Sequence, residues 1–251
     1  MNQPVTVRAD VLPRPVAMAI IAALLICAGA AWLVTADQAA SMAGMGGVAM
    51  LGAGLFLATW IVMMVAMMFP SVAPMVLTHA RIVRSRGEGA LPSVSFVLGY
   101  LIVWTAAGLV PLAVIQLLGS IGTPVNGWLP RLGGAVVILA GLYQLTPLKN
   151  VCLRACRSPL SFVLSHDFGG GAPAAARAGI YHGAICLGCC WALMAVLAVL
   201  GLMNLIWMAV FAVVFSLEKN WRHGVMFARV AGVACLVLGA GVVLDLAKPA
   251  I

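Results

Sequence analysis

The sequence predicts an all-α fold: a polytopic transmembrane helix bundle of about seven spans, with the N-terminus cytoplasmic and the C-terminus periplasmic. Three observations carry this. Hydrophobic residues make up 64% of the 251 and charged residues 8%, against ~25% charged in a soluble domain. Seven apolar stretches follow one another, most of them near the ~20 residues that cross a bilayer. Twelve of the fourteen basic residues fall in alternate connections, as the positive-inside rule requires.

The first stretch, 16–35, follows a tail carrying Arg8 and Arg14. It lacks a small-residue cleavage site and is long enough to span, so it reads as a retained helix rather than a signal peptide. The second, 48–78, is overlong: at ~1.5 Å per residue it would reach ~46 Å, against a ~30 Å hydrocarbon core. Pro70 and Pro74 sit in its second half, where a kink is expected. The third and fourth stretches are 92–118 and 131–147. The fifth and sixth, 179–200 and 202–217, are separated only by Gly201–Asn204 and should form a tight helical hairpin; the seventh is 225–245. Arg81, Arg84 and Arg86 follow the second stretch, Lys149, Arg154, Arg157 and Arg177 the fourth, and Lys219, Arg222 and Arg229 the sixth, while only Arg131 and Lys248 lie on the opposite side. These stretches form one transmembrane domain over 1–251, with a cytoplasmic loop at 148–178. The net charge of +8 therefore reads as membrane topology, with the lipid bilayer as partner and no nucleic acid.

Chemistry-bearing side chains gather toward the cytoplasmic side. In "HGAICLGCCWALM" (His182 to Met194), His182, Cys186 and Cys189 fall within ~60° of one another at 100° per residue. Cys190 sits at the edge of that face and Trp191 points away. Upstream, "PLKNVCLRACRSP" places Cys152 and Cys156 at i, i+4, among Lys149, Arg154 and Arg157, where positive charge favours the metal-binding thiolate. The second stretch, "TWIVMMVAMMFPSVAPMVLTHA", carries Met63, Met64, Met67 and Met68 on adjoining stripes and ends at His79. Met42, Met45 and Met50 lie on the outer side. Glu218 and Lys219 close the sixth stretch; they either neutralise each other or act at the site. Thiolate and thioether donors select Cu(I), and Cys with His also suits Zn(II). The same residues have a plainer reading as packing, methionine being a flexible apolar filler. Cys27 and Cys235, alone in apolar runs, read as core. A reducing cytosol argues against structural disulfides at the inner cysteines. Ser165, His166 and Asp167 are adjacent in sequence, which is no evidence for a catalytic triad.

Four ordered motifs, "WIVMMVAMMFPSVAPM", "GLYQLTPLKNVCLRACRSP", "HGAICLGCCWALM" and "GLMNLIWMAVFAVVFSLEK", resemble a bacterial inner-membrane family known as domain of unknown function 2182. The resemblance covers about residues 55–240. Members are described as predicted metal-binding integral membrane proteins. By motif, the family-typical positions include the four methionines, Pro70, Pro74, Lys149, Cys152, Cys156, Cys186, Cys189, Cys190, Trp191, Met203, Asn204, Glu218 and Lys219.

The expected function is that of a multi-pass inner-membrane protein handling copper. His182, Cys186, Cys189 and Cys190 would form an intramembrane site and Cys152 and Cys156 a cytoplasmic relay, with the methionines as weaker stations. Asn204 and Glu218 would orient ligands. A metallochaperone or membrane partner protein would exchange the ion. No G-x4-G-K-[ST] motif is present, so pumping would need another subunit or an ion gradient. The alternatives are a thiol-disulfide oxidoreductase and an accessory subunit that uses no metal.

Overall fold

The computed structural model describes residues 12–42, 52–121, 129–159, 161–162 and 170–246. Among them are eight helices and no strand: α1 (Arg14–Met42), α2 (Ala53–Ser85), α3 (Leu91–Ile121), α4 (Leu129–Leu145), α5 (Pro147–Arg157), α6 (Gly171–Leu200), α7 (Leu205–Asn220) and α8 (Gly224–Leu246). Met45, Met50, His166 and the side chain of Met42 lie outside the described residues.

Five helices, α1, α2, α3, α6 and α8, are long and apolar enough to cross a membrane. Helix α4 passes only together with α5, across a 65° bend, and α7 has 16 residues, short of the ~20 that span unaided. The protein is a membrane protein by these helices. Apolar side chains cover the outside of the bundle, including Leu33, Ile102, Leu139 and Val237, where lipid replaces water as the neighbour.

Helices α2 and α6 form the buried centre. Helix α6 packs along α3 through small residues: a Cβ at Gly179 would collide with the backbone of Phe96, and one at Gly99 with that of Ala176. Apolar lipid gives helices no hydrophobic reason to associate, so close backbone approach supplies the packing. Helices α4 and α8 pair in the same manner.

Helix α2 runs through both prolines. Pro70 has no N–H to offer the carbonyl of Ala66, four residues back. Trp32 of α1 replaces it, donating from Nε1 to Ala66 O at 3.2 Å.

Of the segment 148–178, read from sequence as a loop, residues 148–157 belong to α5 and 171–178 to the first turns of α6. Thr146 caps α5, accepting from Lys149 N at 3.3 Å, and proline occupies the first turn. Leu153, Cys156 and Lys149 of α5 are buried, so this helix packs onto the bundle instead of standing in solvent. Its polar outer face hid that in the hydropathy pattern.

Three basic connections meet at one end. Glu88, in the α2–α3 turn, accepts from Gly171 N at the start of α6 at 3.0 Å. At the end of α5, Arg157 donates to the carbonyls of Glu218 (2.7 Å), Trp221 (2.7 Å) and Arg222 (3.0 Å), in and after α7.

Candidate metal centre

The last turn of α5 meets the middle of α6 near this basic end. Cys156, Cys186 and Cys189 bring their sulfurs within 4.8 Å of one another, all three buried. Cys156 Sγ lies 3.8 Å from Cys189 Sγ. Cys186 and Cys189 share a face because they are three residues apart on one helix. Cys156 joins them because α5 folds back against α6. A metal bonded equally to three sulfurs at ~2.3 Å would hold them ~4.0 Å apart, so the cluster has the size of a three-thiolate site. All seven cysteines are free thiols.

Cys186 has two further partners. Tyr100 of α3 shares a hydrogen bond with its sulfur at 3.1 Å. Lys219, from the end of α7, places Nζ 3.1 Å from the same sulfur, 3.2 Å from Ser71 Oγ and 3.7 Å from Met68 Sδ. Lys219 is buried, and no carboxylate bonds to it among the described residues. A buried ammonium needs a counter-charge, and the Cys186 thiolate is positioned to supply it.

Glu218 does not pair with its neighbour Lys219, because successive helical residues project ~100° apart. It bonds Lys149 of α5 at 2.7 Å, with both side chains at most 1% exposed, and accepts from Gln144 Nε2 at 2.8 Å. Lys149 also donates to the carbonyl oxygen of Cys189. This network ties α4, α5, α6 and α7 together directly behind one ligand candidate, and leaves Lys219 free to face the thiols.

The other expected site residues are placed as follows. Cys190 is buried and donates to Cys186 O at 2.9 Å, outside the three-sulfur group. Cys152 is half-buried and lies against Gly188. His182 is 2% exposed and stacks between aromatic rings, 6.0 Å from Tyr100 and 6.0 Å from Phe96, with Phe162 edge-on. Its Nδ1 has no hydrogen-bond partner. Met68 touches Lys219, while Met63, Met64 and Met67 are buried in the same core. Asn204 caps α7, accepting from Ile206 N and Trp207 N. It sits ~21 Å along the helix from Glu218, away from the thiols.

Tyr100 bonds Cys186, Ser71 bonds Lys219 and Gln144 bonds Glu218, and none was singled out from sequence. Each is a polar side chain inside an apolar stretch, which is by itself a signal of function or of a specific partner.

A cavity of about 220 Å³ opens beside this cluster, lined by Cys156, Arg157, His182, Cys186, Lys219 and Asn220 among others.

A family model described as PpoB2, copper chaperone, matches residues 57–242. The chain belongs to that copper chaperone family. This is a metal-related family, and its matched region runs from early α2 to late α8. It thus contains all three clustered cysteines, Lys219 and the Lys149–Glu218 pair. No curated protein and no solved structure matches the chain.

Proposed function

We propose that this member of the copper chaperone family is a membrane-embedded Cu(I) carrier that holds its cargo between Cys156, Cys186 and Cys189 and passes it to a partner protein. The observation that carries the reading is the convergence of three buried thiols from two helices within 4.8 Å. Soft sulfur donors suit Cu(I) above other first-row ions. Zinc is the lesser alternative, since it favours a fourth ligand. Three thiolates around one Cu(I) carry excess negative charge, which the Lys219 ammonium offsets. The methionines of α2 serve as weaker stations leading to Met68, so affinity rises toward the thiols. By the positive-inside rule the thiol end faces the cytoplasm of a bacterial inner membrane, with seven spans and the N-terminus inside.

The second reading is dithiol exchange. The 3.8 Å separation of Cys156 Sγ and Cys189 Sγ favours it, because a short sulfur movement would join them. Anaerobic loading of detergent-purified protein, with copper and zinc counted by elemental analysis, separates the two. We expect about one Cu(I) per chain, held against a moderate Cu(I) chelator and lost in the Cys156→Ser and Cys186→Ser proteins. A protein that retains no copper, yet cycles two thiols with an oxidant, refutes the carrier reading.

A further inference from the structure

The cavity beside the thiols is far larger than a bare metal ion needs. One water needs ~15 Å³, and this cavity has about 220 Å³. Its contents should therefore be a small molecule in contact with Cys156 and Cys186, both of which line it.

The charge of the wall narrows the chemistry. Lys219 and Arg157 both line the cavity, and no aspartate or glutamate does. The guanidinium of Arg157 is anchored on three backbone carbonyls, which fixes its position without cancelling its charge. His182 adds a buried imidazole whose Nδ1 has no partner. With Lys219 balanced by the Cys186 sulfur, the guanidinium of Arg157 is the unbalanced charge of the wall, and a fixed guanidinium beside two thiols selects a ligand with both a carboxylate and a soft group. Carboxylate recognition by a planar guanidinium is geometrically specific.

We propose that this cavity binds a small thiol that bears a free carboxylate, of the cysteine or glutathione class, and carries Cu(I) to or from the three-cysteine site. This deepens the carrier reading and rests on it. The carboxylate docks on Arg157 and presents the carrier's sulfur to Cys186. Exchange then proceeds on the metal: a Cu(I)–sulfur bond to Cys186 forms and the bond to the small thiolate breaks. Any proton released by a protein thiol passes to the departing thiolate. Copper stays in the +1 state, and no electron moves.

The test uses purified full-length protein in detergent and two kinds of probe. S-methylglutathione, whose sulfur is blocked, is titrated against metal-free protein while Cys186 alkylation is followed by mass spectrometry. Saturable protection is expected, weakened roughly tenfold or more by Arg157→Gln and restored in part by Arg157→Lys, as for the loss of one charge-assisted hydrogen bond. Separately, Cu(I) is supplied from glutathione, which is anionic, from mercaptoethanol, which is neutral, and from cysteamine, which is cationic. Transfer from glutathione should be faster by roughly tenfold or more than from the other two, and Arg157→Gln should remove that advantage. Equal transfer from all three donors, together with no protection by S-methylglutathione, overturns the proposal while leaving copper binding standing. Protection without copper uptake would instead retain the anion pocket and remove the carrier reading and the copper delivery with it. If Arg157→Gln does not fold, the wild-type protection curve and the donor comparison still decide.

Discussion

Lys219 Nζ lies 3.1 Å from Cys186 Sγ, a buried cation on a buried thiol with no carboxylate bonded to it among the described residues. The pair joins the end of α7 to the middle of α6. It makes Lys219 a positioning residue for the thiols, because the ammonium fixes where negative sulfur is tolerated.

Lys219→Met should therefore weaken Cu(I) affinity by about 10–100-fold, the usual effect of removing a group that supports a metal ligand. Alkylation of Cys186 should slow in parallel, since the thiolate loses its counter-charge. Competition with a Cu(I) chelator reads the first and mass spectrometry of the alkylated protein the second. An unchanged affinity and unchanged alkylation would show that Lys219 serves only packing.

Serine scanning should divide the cysteines by geometry. Loss of Cys156, Cys186 or Cys189 removes one of three convergent donors and should abolish stoichiometric copper binding. Cys190→Ser should keep it, because that thiol stands outside the three-sulfur group and a hydroxyl can make its bond to the Cys186 carbonyl. Elemental analysis after dialysis against chelator gives the answer. Copper loss in Cys190→Ser equal to that in Cys189→Ser would require a different ligand set.

Glu218→Gln leaves the Lys149 ammonium buried without its partner. Breaking a buried pair from one side costs about 3–5 kcal/mol, so the thermal transition in detergent should fall sharply. Replacing Lys149 and Glu218 together, by methionine and glutamine, should cost less than the sum of the single changes. Additive losses would mean that the two charges do not interact as their 2.7 Å separation indicates.

Trp32→Phe removes the indole N–H that satisfies Ala66 O beside Pro70. A loss of about 1–3 kcal/mol is expected for an orphaned carbonyl. On a Pro70→Ala background the same change should cost less, because the alanine N–H satisfies Ala66 from within the helix. A double-mutant cycle on thermal stability measures the difference.

Much of this molecule was legible as pattern. Long apolar runs separated by basic connections allow only helices, since a backbone in lipid must satisfy its own hydrogen bonds. The 3.6-residue period then placed Cys186 and Cys189 on one face of α6 and turned the exposed Trp191 away from it. Both are local properties of the chain, independent of what packs beside it.

What only the tertiary structure decided is which distant groups meet. Cys156 reaches Cys189 because α5 folds against α6 across a bend at Leu145–Pro147, and a short amphipathic helix among arginines looks from sequence like a soluble loop. Glu218 and Lys219 are neighbours in the chain but face opposite tasks, one bonding Lys149 and the other Cys186. The physical reason is that a helix turns ~100° per residue: adjacency along the chain separates side chains, and only packing between helices brings their chemistry together.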